Sequence, residues 1–294
     1  MKSLIKRGYR FLLRKSSQVL SFFILNKRNR KLCREFFDER VINLYSSDIK
    51  AFVDQYPNVW SEEDTIKNLI KNRSSICRFG DGEFKLILGE NHKAFQDHDV
   101  RLIERLRAVL QSNQPNILIG INNIKKAKSI GRVWSKFIIR LGQPVLQLLD
   151  ENRVYPSSGV FRQLPADDRD KFVNRVNLIK EVWNDRKILF VVGANSRFKY
   201  EEELFSNAKS IDYVYGPAKN AFMEYDDIYN KILAYEKTEY LVIVVLGPTA
   251  TIMVYDLAMD GYQAIDFGQM PTTYRRAKKE LFGDANFSLN ELDS

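Results

Sequence analysis

Runs of apolar residues alternate with stretches of helical periodicity along most of the chain. In the second half these runs are KILFVVG from Lys187, SIDYVYG from Ser210 and YLVIVVLG from Tyr240, and each contains a glycine at its end. Two shorter runs, at residues 75–79 and 116–121, precede them. Continuous apolar strands that alternate with helices are typical of a parallel sheet covered by helices on both faces. The pattern therefore predicts an α/β fold with a mainly parallel sheet, whose ligands lie at the carboxyl ends of the strands.

Helices are predicted between these strands. Ser61 is a typical N-cap residue and three acidic residues follow it, which predicts a helix from there to about residue 72. Further helices are expected near residues 84–88, from about 100 to 110, and from about 126 to 149. The segment YPSSGVFRQLP, which begins at Tyr155, is predicted to be a loop.

Positive charge is concentrated at the start of the chain. Residues 1–34 contain eleven Lys or Arg residues and no acid, within a chain of 294 residues and net charge +9. Subtracting these eleven from the 46 basic residues of the chain leaves 35, against 37 acidic residues. The rest of the chain is therefore nearly neutral, which argues against a nucleic-acid partner for it.

Apolar residues are interleaved with these cations, so residues 1–34 are predicted to form a basic amphipathic helical extension. Its longest apolar run, Phe22–Leu25, is far shorter than the roughly 20 residues of a membrane-spanning helix. Two interpretations stay open: the extension lies on an anionic membrane surface, or its apolar stripe packs on the main domain. We expect residues 35–59 to be a helical lead-in and residues 60–294 to form one domain.

The chain has two cysteines in unlike surroundings. Cys33 lies in the basic segment and Cys77 in an apolar strand pattern, and neither has the spacing of a metal site. So few cysteines are typical of a reduced, cytoplasmic protein in which Cys77 is a small core residue. The expected location is therefore the cytoplasm, at the inner face of the cell membrane if the extension binds lipid.

The turn after the first predicted strand carries two carboxylates. It reads RFGDGE and contains Arg78, Gly80, Asp81, Gly82 and Glu83. Carboxylates at a strand end can both face a ligand cleft, and Gly82 has no side chain, so a diphosphate or a metal can approach the backbone. Oxygen ligands of this kind suit Mg²⁺ or Mn²⁺, and Arg78 is a candidate to hold a phosphate oxygen. The alternative is a turn whose acids are solvated or cap the next helix, for which Asp81 is an acceptable N-cap.

The segment LGPTAT follows the most apolar strand and begins another predicted helix. Gly247, Pro248, Thr249 and Thr251 are its candidate ligand-binding residues, with Pro248 at the first helical position. Exposed N–H groups and threonine hydroxyls at a helix N-terminus favour an anion. The alternative is simple capping of the helix by Thr249.

Two other polar segments have an ordinary interpretation beside a functional one. VVGANSRF presents Asn195, Ser196 and Arg197 either to a ligand or within a simple strand-to-helix turn. HKAFQDHD, residues 92–99, is better explained as a polar loop with incidental histidines than as a metal site.

Two of these motifs together resemble a known family. RFGDGEFKLILG followed by LGPTATIMVYDLAMDGYQAIDFG is similar to the GT-D fold glycosyltransferases of bacteria, over roughly residues 60–275. The resemblance implies a Rossmann-like α/β domain that uses a nucleotide-sugar donor, typically UDP-linked, and a divalent metal. It also implies that the family's DxE motif falls on Asp81 and Glu83, which would hold the metal and the donor diphosphate. Such enzymes build surface glycans or glycoprotein glycans.

The chain departs from that family after YQAID. The family pattern often continues with glycine, histidine and acidic residues, whereas this chain reads FGQMPTTYRRA. Gln269 stands at the histidine position, and Pro271 and Thr273 stand near the acids, while Asp266 and Gly268 remain. A ligand or base that relatives supply from this segment is therefore replaced here.

The resulting hypothesis is metal-dependent transfer of a sugar to a hydroxyl of a growing glycan or lipid-linked glycan. The RFGDGE turn, Asp266 and the start of the LGPTAT helix would contact the nucleotide sugar, and one carboxylate of the turn would act as general base. Arg162 and Gln269 are the candidates for contact with the sugar or the acceptor. The rival hypothesis is a non-enzymatic, basic-tailed protein that binds nucleic acid or scaffolds a glycan-assembly complex.

Overall fold

The structure is a computed structural model that describes residues 2–90, 96–125 and 130–283. Its contacts divide the chain into two compact units. The helical unit comprises Met1–Pro57 with Ile124–Asn152, and the sheet unit comprises Asn58–Asn123 with Arg153–Ser294. The sequence-based domain boundaries remain a prediction; they did not anticipate that residues 124–152 group with the N-terminal helices.

The described residues form eighteen labelled helices and strands. In chain order these are α1 (Lys2–Phe23), α2 (Lys27–Leu44), α3 (Ser46–Gln55), α4 (Glu62–Asn72), β1 (Ser75–Phe79), α5 (Asp81–Ile87), α6 (Val100–Gln111), β2 (Ile117–Ile121), α7 (Arg132–Leu146), α8 (Arg169–Lys180), β3 (Lys187–Gly193), α9 (Glu202–Phe205), β4 (Ser210–Gly216), α10 (Tyr225–Ile232), β5 (Tyr240–Val245), α11 (Pro248–Met259), β6 (Gln263–Asp266) and α12 (Met270–Phe282). Short 3₁₀ turns lie at Glu181–Trp183 and Ala221–Glu224.

The strands of the described residues make one six-stranded sheet in which every neighbouring pair is parallel. The strand order is β2-β1-β6-β5-β3-β4. The predicted α/β fold with a parallel sheet is therefore confirmed, as are the five strands that the apolar runs indicated. The sixth strand, β6, was not predicted, because it has only four residues between two helices.

Local capping explains where the helices begin. The Ser61 hydroxyl accepts the backbone N–H of Asp64 at 3.0 Å, so the predicted N-cap of α4 is confirmed. Helix α5 begins at Asp81 rather than at residue 84, because Gly80 is its N-cap. Helix α7 is shorter than the predicted span of 126–149, of which residues 126–129 lie outside the described part of the chain.

The helical unit begins with two helices rather than one continuous amphipathic segment. Asn26 separates them, and its side chain accepts the backbone N–H of Arg28 at 2.8 Å to cap α2. Within this unit α1 packs on α2, and α7 packs on α2 and α3. An ion pair of 2.6 Å between Arg132 and Glu35 joins α7 to α2. In the described ranges, no helix combines the length and the apolar character needed to cross a bilayer.

Aromatic side chains fill much of the core of the sheet unit. The ring of Trp183 lies 5.0 Å from that of Phe205, and Phe161 lies 5.0 Å from Phe267. Cys77 is fully buried and is not in a disulfide, which confirms it as a small core residue. Burial raises the pKa of its thiol, so the reactive thiolate is disfavoured.

Candidate active site

Three strands bring the predicted site residues to the carboxyl edge of the sheet. β1 ends just before Gly80, β6 ends at Asp266, and β5 ends just before Leu246 and Gly247. Because β6 lies between β1 and β5, residues 188 positions apart in the sequence become neighbours. This is the edge at which open parallel sheets bind ligands.

A largely buried ion pair joins β1 to β6 at this edge. Nη2 of Arg78 donates to Asp266 Oδ1 over 3.3 Å, and the backbone N–H of Arg78 donates to Oδ2 over 3.3 Å. The hydroxyl of Thr251 donates to Oδ2 of Asp266 at 3.1 Å. Burial raises the pKa of Asp266, and the Arg78 cation opposes that shift. The predicted ligand-binding residues Arg78, Thr251 and Asp266 therefore form one hydrogen-bonded cluster.

The guanidinium of Arg78 is fixed in place by two further features. Its Nη1 donates to the backbone carbonyl of Ser158 at 3.0 Å. Gly268 has φ of +64°, and a Cβ atom at that position would overlap Nη2 of Arg78. Only glycine therefore leaves room for the guanidinium at this edge. The Nε of Arg78 is buried and has no hydrogen-bond partner among the described residues.

The two carboxylates of the DGE turn lie in the first turn of α5. Oε2 of Glu83 accepts the backbone N–H of Gly80 at 2.8 Å, so Glu83 secures the start of its own helix. Asp81 is half-buried and forms an ion pair with Lys85, one helical turn further on. Burial raises the pKa of Glu83, and the charge of Asp266 adds to the shift. Asp81 is not the N-cap, which is Gly80, but the alternative that an acid of this turn caps the helix is confirmed for Glu83.

The donor set for a metal is small. In the part of the chain that the structure describes, no group of three or more His, Cys, Asp or Glu side chains could hold a metal ion. Asp81 and Glu83 offer two carboxylates, a number that fits Mg²⁺ or Mn²⁺ bound together with substrate phosphates rather than in an all-protein cage. Residues 92–95 of the HKAFQDHD segment lie outside the described residues, and Asp99 has a structural role as the N-cap of α6.

The start of α11 presents a second polar feature. Gly247 is the N-cap, with φ of +59°, and Pro248 is the first helical residue as predicted. No side chain caps this helix, so the alternative of capping by Thr249 is wrong. Thr249 is fully buried, and its hydroxyl has no hydrogen-bond partner among the described residues. Buried polar groups are nearly always paired, so this hydroxyl is a candidate to bind a ligand.

A sequence model of the family described as "Glycosyltransferase GT-D fold" matches residues 76–282. That range is more than half of the chain and contains the DGE turn, the start of α11 and Asp266. The chain belongs to the GT-D fold glycosyltransferases. Helices α1, α2, α3 and α4 precede the matched range.

Solved structures agree with this family. The chain superimposes on a structure described as "The highly conserved domain of unknown function 1792 has a distinct glycosyltransferase fold", with a TM-score of 0.73 and 27% identity. That likeness covers 82% of this chain and 88% of the other. A second structure, "A New Glycosyltransferase (DUF1792) from Streptococcus sanguinis", has a TM-score of 0.68 and 27% identity, over 74% of this chain and 84% of the other.

Two curated relatives are also glycosyltransferases by name. The chain is 28% identical over 227 residues to "Probable glycosyl transferase Gly" of Streptococcus gordonii, which is 74% of this chain and 32% of the relative. It is 27% identical over 232 residues to "Glycosyltransferase GlyD" of Streptococcus pneumoniae, which is 77% of this chain and 28% of the relative. The chain thus spans about a third of the length of the curated relatives it matches.

The two residues predicted to contact the sugar or the acceptor lie in different places in this GT-D fold protein. Gln269 is exposed and lines a pocket of about 190 Å³ together with Gly247, Arg197 and Lys219. This pocket lies where β3, β4 and β5 end, and it includes residues of the VVGANSRF segment. Arg162 is exposed on the loop after residue 155 and does not line that pocket. The contacts predicted for both residues stay predictions.

Sequence reasoning missed the part that Ser158 has in this GT-D site. A backbone carbonyl acts without regard to its side chain, so nothing in the residue type indicates that Ser158 accepts from Arg78. One glycine in the sequence does indicate that another backbone segment approaches β2 at this point. Gly120 lies in the middle of strand β2, and a Cβ atom there would come within 3.2 Å of Ser158 N. Glycine within a strand often marks the close approach of another backbone segment.

Proposed function

We propose that this chain is a metal-dependent glycosyltransferase that moves a sugar from a UDP-linked donor to a hydroxyl group of a growing glycan. One observation carries the proposal: the carboxylates of the DGE turn, the Arg78–Asp266 pair and the start of α11 meet at one edge of the sheet, within the residues that match the GT-D family. The proposed acceptors are bacterial surface glycans or glycoprotein glycans, including lipid-linked ones.

The donor diphosphate binds between Arg78 and the start of α11 in this proposal. The free N–H groups and the dipole of a helix N-terminus favour an anion. The buried hydroxyl of Thr249 and the buried Nε of Arg78 both lack partners among the described residues. A phosphate would satisfy them if the atoms that cover them move aside when the donor binds. Gly80 is half-buried and has no side chain, so the donor can approach the backbone there, whereas Gly82 is buried.

In this proposal Asp81 and Glu83 would be the residues that hold the divalent metal. When bound, the metal supplies positive charge that stabilises the departing nucleoside diphosphate. Asp81 is half-buried, and its ion-pair partner in the described part of the chain is Lys85, a cation that a metal could replace. Glu83 retains its contact with the Gly80 N–H, which holds its carboxylate in position at the strand end.

Transfer to a hydroxyl also requires a group that accepts the hydroxyl proton. Asp81 and Glu83 are the candidates at this edge. A carboxylate that is bound to the metal cannot at the same time accept this proton, so one of the two would act as the base while the other holds the metal.

The basic segment of residues 1–34 is the basis for the proposed location of the protein in the cell. Its eleven cations are unbalanced by any acid within the segment, and such a segment is attracted to anionic lipid headgroups. We infer that it brings the transferase to an anionic membrane surface, at the inner face of the cell membrane. A lipid-linked glycan acceptor would be met at the same surface.

Release of nucleoside diphosphate tests the proposed reaction. A panel of nucleotide sugars is supplied with a bacterial glycan and lipid extract, in the presence of Mn²⁺, Mg²⁺ or EDTA. We expect release from at least one UDP-sugar, and loss of release in EDTA and in Asp81→Asn. The matched control is Asp227→Asn, because Asp227 also lies in a first helical turn and pairs with Lys231 at 2.6 Å, but is well exposed. Native release in EDTA would contradict the metal requirement, and no release from any donor would contradict the reaction.

A further inference from the structure

Helix α1 of the helical unit buries one narrow face. Leu13 is 8% exposed and Ser21 is 3% exposed, and both lie on the side that packs against α2. Arg10 and Ser17 are half-buried on the same side, since they are spaced three or four residues from these two. Little of the apolar surface of α1 is used in this packing.

The opposite side of α1 is apolar and exposed. Ile5, Leu12, Val19 and Phe23 follow one another at intervals of seven, seven and four residues, which places them on one side of the helix. Their exposed fractions are 66%, 61%, 56% and 75%. Leu4, Phe11, Leu20 and Phe22 are also exposed and widen this side. These eight residues form the apolar face of α1, and a contiguous exposed surface of this kind is typical of an interaction site.

Arg7 and Arg14 border the apolar face, and Lys15 lies within it, four residues from both Phe11 and Val19. Arg7, Arg14 and Lys15 line a groove between α1, α3 and α7, and no ion pair among the described residues involves these three. Asp48 is the sole acid that lines the groove in the described part of the chain, and it pairs with Lys6 at 2.6 Å. The border of the apolar face therefore carries uncompensated positive charge.

We propose that α1 lies in the interface of an anionic lipid bilayer, with its apolar face in the acyl region and Arg7, Arg14 and Lys15 at the level of the lipid phosphates. This inference rests on the proposed membrane contact of residues 1–34 and assigns the surface that makes it. An interfacial helix gains from burial of its apolar side chains and from attraction to anionic lipid. Long Arg and Lys side chains extend from the side of such a helix to the headgroups.

Other occupants match only part of this surface. A nucleic acid would meet the cations but would leave the eight apolar side chains in water. A second copy of the chain would cover the apolar face but would bring together two segments that each have eleven cations and no acid. Of these three occupants, an anionic bilayer is the one that offers apolar material and negative charge side by side.

Co-sedimentation of the full chain with vesicles tests the insertion. The vesicles are phosphatidylcholine alone, and phosphatidylcholine mixed with phosphatidylglycerol. Leu12→Gln with Val19→Gln changes two exposed residues of the apolar face. The matched control is Val133→Gln with Met223→Gln, which changes two exposed apolar residues elsewhere, at 68% and 76% exposure. Thermal unfolding of each protein checks that the fold is kept, as expected for exposed positions.

We expect the native chain and the control to bind the mixed vesicles equally, and the apolar-face variant to bind at least roughly tenfold more weakly. Equal binding by the apolar-face variant, with release of all proteins by salt, would overturn insertion while leaving an electrostatic membrane contact. Absence of native binding to either vesicle would overturn both. A dimer that only the apolar-face variant loses, with vesicle binding unchanged, would also overturn insertion. Donor-induced thermal shifts on the same preparations report on the transferase separately.

Discussion

The carboxylate of Asp266 accepts hydrogen bonds from both the guanidinium and the backbone N–H of Arg78, each over 3.3 Å. The two residues belong to neighbouring strands, β6 and β1. Arg78 is therefore oriented by protein groups and not by solvent. The position of this cation at the sheet edge depends on Asp266 and on the space that Gly268 leaves beside it.

Gly268→Ala is expected to destabilise the protein and to displace Arg78. Gly268 has φ of +64°, and a Cβ atom there would overlap the guanidinium. Gly89→Ala is the matched control, because Gly89 has φ of +79° but no heavy atom within 4 Å of the added Cβ. We expect the control to lower the free energy of unfolding by about 1–2 kcal/mol through backbone strain, and Gly268→Ala by more. Urea unfolding measures both, and equal losses would contradict the close approach.

Thr249→Val is expected to weaken donor binding without lowering the free energy of unfolding. The variant removes a buried hydroxyl that has no partner among the described residues, so the free energy of unfolding stays unchanged or rises. Loss of a phosphate contact would weaken donor binding by roughly tenfold. Thr251→Val is the comparison, because its hydroxyl donates to Asp266 and its loss should lower stability by about 1–3 kcal/mol. Native donor affinity in Thr249→Val would argue against phosphate binding at the start of α11.

Glu83→Gln is expected to change how stability depends on pH. The folded-state pKa of Glu83 is raised above its unfolded value, because burial disfavours the carboxylate. Between these two values the folded state holds more protons than the unfolded state, so this group's stabilising contribution is lost as pH rises through the folded pKa. Gln does not titrate, so the variant does not lose this contribution as the pH rises. The free energy of unfolding of the variant, relative to that of the native chain, should therefore increase from acid towards neutral pH. Urea unfolding over this range measures the trend, and a difference independent of pH would contradict it.

Much of the fold was predictable because a strand buried on both faces must be apolar along its whole length. The runs at Lys187, Ser210 and Tyr240 gave β3, β4 and β5 in this way, and the short runs gave β1 and β2. β6 was not predicted from the apolar pattern, because QAID has only four residues and a polar residue at each end. The bounds of α7 and the break at Asn26 depend on local caps and contacts that the apolar pattern does not contain.

The candidate site was predictable in its residues but not in their partners. Glycines and carboxylates after β1, and proline after β5, indicate ligand-binding turns through their local chemistry. The pairing of Arg78 with Asp266 spans 188 positions and requires β6 to lie beside β1. The contact of Glu83 with the Gly80 N–H depends on where α5 begins, and that start was expected three residues later.

Thermal unfolding with nucleotide sugars measures donor binding and its dependence on a metal in one experiment. The native chain, Asp81→Asn and the control Asp227→Asn are each heated with a panel of UDP-sugars in Mn²⁺, Mg²⁺ or EDTA. A ligand at 100 times its dissociation constant stabilises by about 2.7 kcal/mol, which is several degrees for a domain of this size. We expect a metal-dependent shift with at least one UDP-sugar in the native chain and in Asp227→Asn, and its loss in Asp81→Asn. A shift that persists in EDTA and in Asp81→Asn, or no shift with any donor, would contradict this expectation.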